Sequence, residues 1–215
     1  MTPQMSTARA RRTPHGQDSL LEIAVGEFIT RGYDATSMED LSRAAGITKS
    51  SFYHHFASKE ALLRAALDRS LAGLFGLLEE PGATTGTPLQ RLRHIVRGQV
   101  AVLQRELPYV TLLLRVRGNT ESERWALARR REFDARLAEL VRAAVEAGEL
   151  RAGVDPILAA RMLSGLVNSV VEWYRPGRPG AADLPDEVAR AAFDGILPAP
   201  EKASLRFGDG ESPLP

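Results

Sequence analysis

The chain has 215 residues, 44% hydrophobic and 26% charged, which is long enough for one large or two small globular domains. Its net charge of +1 names no partner, so any nucleic-acid surface has to be a local patch. The absence of cysteine excludes disulfides, thiolate metal sites and cysteine nucleophiles, and no apolar run reaches the ~18 residues of a membrane helix.

Residues 1–17 (MTPQMSTARARRTPHGQ) are polar and basic, show no period, and lack the apolar segment of a signal peptide. A disordered basic arm and a cytoplasmic protein are the expectations. A first helix is expected from Ser19, where Ser19-x-x-Glu22 has the form of a capping box. Leu21, Ala24, Val25 and Phe28 follow at helical spacing, and Gly32 stands where a helix would stop. Thr36-x-x-Glu39 has the same capping form and opens a short helix with Met38, Leu41 and Ala45 inward. Gly46 breaks that helix, Thr48 caps a third one through Phe56, and Ser58 caps a fourth.

The segment PGATTGTP (81–88) has the composition of a linker. Helical periodicity then resumes over about 88–105, 108–117, 121–147, 156–174 and 185–196, with Pro88, Pro108, Pro156 and Pro185 near the starts. No stretch alternates like a strand with hairpin turns. The predicted fold is all-α. It comprises an N-terminal three-helix helix-turn-helix domain over 18–66 and a C-terminal helical bundle that dimerises over 67–197. Residues 198–215 are expected to form a disordered tail.

A helix, a short turn and a second helix form the unit that lays its second helix in a DNA major groove. Here the second helix would be Thr48–His55, in the stretch GITKSSFYHHFASKEALL from residue 46. Phe52 and Phe56 are four apart and share an anchoring face. Lys49, Tyr53 and His54 project from another face, with Thr48, Ser50 and Ser51 near the helix start. Lys49 can donate to guanine or phosphate, Ser50 and His54 pair with several bases, and the Tyr53 hydroxyl reaches a phosphate. Capped amphipathic helices with glycine turns also occur in proteins that never touch DNA, so the residues alone leave both readings open.

TSMEDLSRAAGITKSSFYHHFASKEALL resembles the DNA-binding signature of the TetR family of bacterial transcriptional regulators, over roughly residues 18–66. The resemblance implies a homodimer on a palindromic operator and a divergent helical C-terminal domain that takes a small-molecule effector. Carried over by position, it implies Thr36, Thr48, Lys49, Ser50, Tyr53, His54 and Lys59 as DNA contacts, Lys59 on phosphate. Phe52 and Phe56 become packing residues.

The stretch LSGLVNSVVEWYRPGRPGAADLPDEVARAAFDGI (163–196) resembles a subset of these regulators with a Trp-Tyr-Arg-Pro-Gly segment, several of which respond to acyl-CoA thioesters. Some members carry a basic residue just before the Trp-Tyr pair, where this chain has Glu172. The resemblance implies an acyl-CoA as the leading effector, and the departure at Glu172 leaves a non-thioester hydrophobic ligand, as in a regulator of efflux, as the alternative. Leu163, Leu166, Val167, Val170 and Val171 are apolar over more than one face, which suits a helix pairing with its symmetry mate. Leu113, Trp125, Phe133, Leu137, Met162, Leu166 and Trp173 are the candidate ligand contacts, although such stripes usually form plain core. The arginines of LLLRVRGNTESERWALARRRE (112–132) are interleaved with Glu121, Glu123 and Glu132, the pattern of a solvated helix face.

An enzyme is disfavoured. No Glu has a His three residues on, and no Gly-x-Ser-x-Gly, Walker or Rossmann fingerprint appears. His15, His54, His55 and His94 show no metal-ligand spacing, and no cofactor or metal is expected.

Overall fold

A computed structural model describes residues 16–194. Among them are ten helices and no strand: α1 Gln17–Arg31, α2 Met38–Ala45, α3 Lys49–His55, α4 Lys59–Glu79, α5 Pro81–Thr84, α6 Pro88–Arg105, α7 Leu107–Arg115, α8 Glu121–Glu146, α9 Pro156–Trp173 and α10 Leu184–Asp194. The chain divides into two compact units. One comprises the residues up to Leu71 with Glu106–Leu127, and the other Ala72–Arg105 with the residues from Ala128 on. The tail expected over 198–215, and the basic arm up to residue 15, lie outside the described residues.

The first unit is built on short helices that bury one stripe each. Leu20, Ala24, Val25 and Phe28 of α1, Leu41 of α2, Phe52 of α3, and Leu62, Leu63 and Leu67 of α4 form its core, none more than 3% exposed. Each such Leu or Phe contributes roughly 1.5–3 kcal/mol by leaving water. Helix α1 packs on α2 and α7. Polar ties accompany the apolar core: Arg69 Nε donates to Glu106 at 2.7 Å, and Arg69 lies 4.3 Å over the Tyr109 ring. Arg64 covers Trp125 at 3.4 Å.

The second unit centres on α6, which packs against α5, α9 and α10. Leu92, Ile95 and Val96 of α6 and Phe193 of α10 are fully buried, and Phe75 meets Phe133 edge-on at 5.8 Å. Helices α6 and α8 run antiparallel. The Leu89 N–H donates to Glu149 at 3.0 Å, and Arg91 and Ile95 share a cleft with Glu139, Leu140 and Ala143.

Helix starts depart from the expectations in an instructive way. Helix α1 begins at Gln17 after Gly16, with no side-chain cap, so Ser19 lies within its first turn rather than ahead of it. The capping box of α2 is Ser37–Asp40, one residue on from the expected Thr36–Glu39. Thr36 is only 1% exposed, and its hydroxyl donates to Gly32 O at 2.8 Å, which takes it away from the helix end. The expected linker over 81–88 contains the single turn α5, then Gly86 at φ +89°. Thr87 and Gln90 next form a reciprocal cap for α6, the Gln90 side chain accepting from Thr87 N at 3.0 Å.

Candidate nucleic-acid interface

Seven residues make α3 too short to hold itself together, so its order comes from its neighbours. Gly46 ends α2 at φ 64°, a left-handed conformation that suits glycine, and its N–H returns to the carbonyls of Ser42 and Arg43. Two residues later the Thr48 side chain accepts from Ser51 N at 3.1 Å and its hydroxyl donates to Ser51 Oγ at 3.0 Å. Phe52, 0% exposed, and Phe56, 5% exposed, pin the other side with ring centroids 6.4 Å apart.

What remains outward is a continuous polar face. Lys49, Ser50, Tyr53, His54 and His55 are all exposed, Tyr53 by 44%. Lys49 makes no hydrogen bond or ion pair among the described residues, so its ammonium is available to a phosphate or a guanine. His55 is exposed as well, although the sequence singled out only His54.

Two of the expected contacts sit differently. Thr36 is buried, as above, and presents no hydroxyl to the surface. Lys59 is half-buried: its Nζ donates to Tyr33 O at 2.8 Å and stands 4.2 Å from the Tyr33 ring centroid. That lysine fastens the start of α4 to the turn after α1. Burial, reinforced by Glu60, Asp34 and Glu123, pushes the Tyr33 phenol up to about 12, so it stays neutral beside the ammonium. Lys59 can present to DNA only what Tyr33 leaves of its three donors.

The candidate ligand contacts do not gather at one place. Leu113 (1% exposed) and Trp125 belong to the first unit, while Phe133 and Leu137 are core of the second. Met162, Leu166 and Trp173 stand 66%, 39% and 53% exposed on α9, with Ile157 and Leu158 beside them. Helix α9 thus has an inward stripe, Leu163, Val167 and Val170, and an outward one. The outward stripe borders a groove of about 490 Å³ with Ala191 and Ala192 of α10. The Trp-Tyr-Arg-Pro-Gly corner frames a cavity of only about 220 Å³, in which Arg175 donates to Tyr174 O at 2.7 Å. A drug-sized ligand usually needs ~300–1,000 Å³.

The model of bacterial regulatory proteins of the tetR family matches residues 20–66, and that of the tetracyclin repressor-like C-terminal domain matches residues 85–196. The chain belongs to the TetR family. It is a DNA-binding transcriptional regulator rather than an enzyme, and the first matched segment contains α2 and α3 and ends within α4. The HTH-type transcriptional repressor KstR2 of Rhodococcus jostii is 32% identical over 74% of this chain and 79% of its own. SCO3833, a TetR family member from Streptomyces coelicolor A3, is 54% identical over 90% of this chain and 96% of that one, with a TM-score of 0.78. AibR in complex with isovaleryl coenzyme A and operator DNA is 26% identical over 81% and 96%, with a TM-score of 0.69. Among the described residues no helix is long and apolar enough to cross a membrane.

Proposed function

We propose that the protein is a cytoplasmic repressor that binds a palindromic duplex operator as a homodimer and is released by an apolar small molecule. The observation that carries the DNA half is the α3 face, where Lys49, Ser50, Tyr53 and His54 stand clear while Phe52 fixes the helix behind them. Thr48, exposed at the N-cap of α3, holds that end of the helix through the Ser51 N–H. Lys59 serves as a secondary backbone contact and Thr36 as a scaffold residue.

Helix α9 supports the homodimer. A second copy is the natural cover for Leu158, Met162 and Leu166, because a stripe of this kind rarely faces water in a monomer. Support for the effector class comes from AibR, which holds isovaleryl coenzyme A, and support for repression comes from KstR2, a repressor. An acyl-CoA is the first candidate, and a hydrophobic ligand without a thioester is the second.

Selection from random duplexes tests the DNA half. An inverted repeat is expected, its half-sites ~34 Å apart or a multiple of that. A single asymmetric site would overturn the dimeric reading.

A further inference from the structure

Helices α4, α5, α6 and α8 enclose a cleft of about 590 Å³ in the second unit, within the ~300–1,000 Å³ usual for small-molecule sites. Phe75 and Leu78 of α4, both half-buried, line it together with the buried Ile95 of α6 and Leu140 of α8. This apolar lining is bordered by five charged side chains: Glu79, Arg91, Glu132, Arg136 and Glu139.

Three of the five have an opposite charge beside them. Glu132 pairs with Arg129, whose guanidinium lies 3.7 Å from the centroid of the Phe75 ring. Glu139 and Arg136 stand 3.6 Å apart. Two have none. Glu79 makes no hydrogen bond or ion pair among the described residues. Arg91 is half-buried, and its one bond there runs from Nε to Ala83 O at 2.6 Å, which leaves its charge without a carboxylate. A guanidinium has five N–H donors, so most of those of Arg91 remain to be used. Each charge also stands at the helix end that disfavours its sign. Glu79 is the last residue of α4, and Arg91 lies in the first turn of α6. A cation beside the first and an anion beside the second would relieve both.

We infer that this cleft is the effector site and that it takes a zwitterionic amphiphile, an apolar chain whose head carries both an anionic oxygen group and an ammonium. The inference rests on the proposed release of operator by an apolar small molecule, and it favours the second effector candidate, the one without a thioester. Arg91 engages the carboxylate or phosphate ester of the head, two oxygens at once if the fork is free to turn. Glu79 takes the ammonium, and the chain covers Phe75, Leu78 and Leu140. A coenzyme A thioester answers Arg91 but sets its phosphates against Glu79, and like charges brought together select against a ligand.

The test uses the full chain and the selected operator, with the variants Glu79→Gln and Arg91→Gln. Glu79 is exposed, and the glutamine at position 91 keeps a donor for Ala83 O, so both variants should melt as the wild type does. The probes share a ten-carbon chain: decanoylcarnitine and decylphosphocholine as zwitterions, decanoate, decyltrimethylammonium and decanoyl-CoA. A zwitterion should release the wild type below about 100 μM, and each singly charged probe should need roughly tenfold more. Decanoylcarnitine against decylphosphocholine distinguishes a carboxylate from a phosphate ester. Glu79→Gln should weaken the zwitterion to the level of decanoate while leaving decanoate itself no weaker. Arg91→Gln should weaken it to the level of decyltrimethylammonium and leave that cation no weaker. Variants released by the zwitterion at the wild-type midpoint overturn the inference, and so does a wild type on which decanoate or the cation matches the zwitterion. Release by decanoyl-CoA with the zwitterions silent overturns it too, while the effector reading stands. If no probe releases the wild type below about 100 μM, the effector reading fails and the assignment of the cleft fails with it.

Discussion

Helices α3 and α9 both turn large side chains outward, for opposite physical reasons. Helix α3 has seven residues, buries Phe52, and sends out a lysine, a tyrosine and two histidines. Helix α9 has 18 residues and is apolar on two sides, burying Leu163, Val167 and Val170 while Ile157, Leu158, Met162 and Leu166 stay exposed. The first can do its work as it stands, because its polar face is complete and held by local devices. The second is unfinished: its outer stripe gains only when something apolar covers it. The difference predicts that damage to α3 acts through folding or direct contact, and damage to the outer face of α9 through assembly.

The largest effect should come from removing the anchor of α3. Phe52→Ala empties a fully buried site and should cost ~3–5 kcal/mol, enough to unfold the first unit or leave it barely stable. Melting followed by circular dichroism should show an early transition, with operator binding lost in step. An unchanged melting curve would mean that the faces of α3 have been assigned the wrong way round.

On α9 the expected outcome is reversed. Leu158→Glu combined with Met162→Glu touches residues already 57% and 66% exposed, so the fold should persist. Sedimentation should show a monomer, and operator affinity should fall by ~10²–10⁴, the usual worth of linking two binding heads. A variant that stays dimeric would place the interface elsewhere.

The same contrast explains what the sequence made legible. Around α3, the glycine stop, the hydroxyl cap and the Phe52–Phe56 spacing act within a few residues of one another, so pattern and structure agree. The start of α2 slipped by one because Thr36 and Ser37 both carry hydroxyls three residues before an acid. What decides between them is the Gly32 carbonyl, which Thr36 reaches only once α1 has ended. In the second half, an apolar residue at helical spacing looks the same whether it faces core, cavity or a partner subunit. That pattern groups Leu137 and Met162 as ligand contacts, yet one is fully buried and the other stands in the open. The arginine run of α8 shows the converse. Its charge pattern reads as solvated throughout, and only packing distinguishes Arg130 from Arg131.

A smaller effect sharpens the reading of α3 itself by comparing its two nearby lysines. Lys49→Ala should leave melting unchanged and lower the salt slope of operator binding by about one unit, as the loss of a single phosphate contact does. Lys59→Ala removes the bond to Tyr33 O and the contact with its ring. It should lower stability by ~1–2 kcal/mol and change the salt slope less than Lys49→Ala does. Should both lysines alter only the slope, the Lys59–Tyr33 tie would carry no weight in the folded unit.

The smallest effect expected is with pH, and it too belongs to the first unit. Bonds from the Ser37 side chain and N–H hold the Asp40 carboxyl below its ordinary value, helped by Arg43 and Arg31. The Ser122 N–H does the same for Glu60, with Arg124 assisting. Each carboxylate is therefore harder to protonate folded than unfolded, where Asp and Glu titrate near ~3.9 and ~4.3. Their stabilisation is complete above those unfolded values and is lost as pH falls through the lower folded ones. Both groups are close to solvent, so water and salt screen the effect and keep it modest. Asp40→Asn keeps the shape but cannot ionise, and it should flatten the fall in melting temperature below about pH 4 while leaving the curve above it parallel to that of the wild type. If the variant fell as steeply as the wild type in acid, the cap of α2 would have no part in the acid sensitivity of the DNA-binding unit, and Glu60 would be left to account for it.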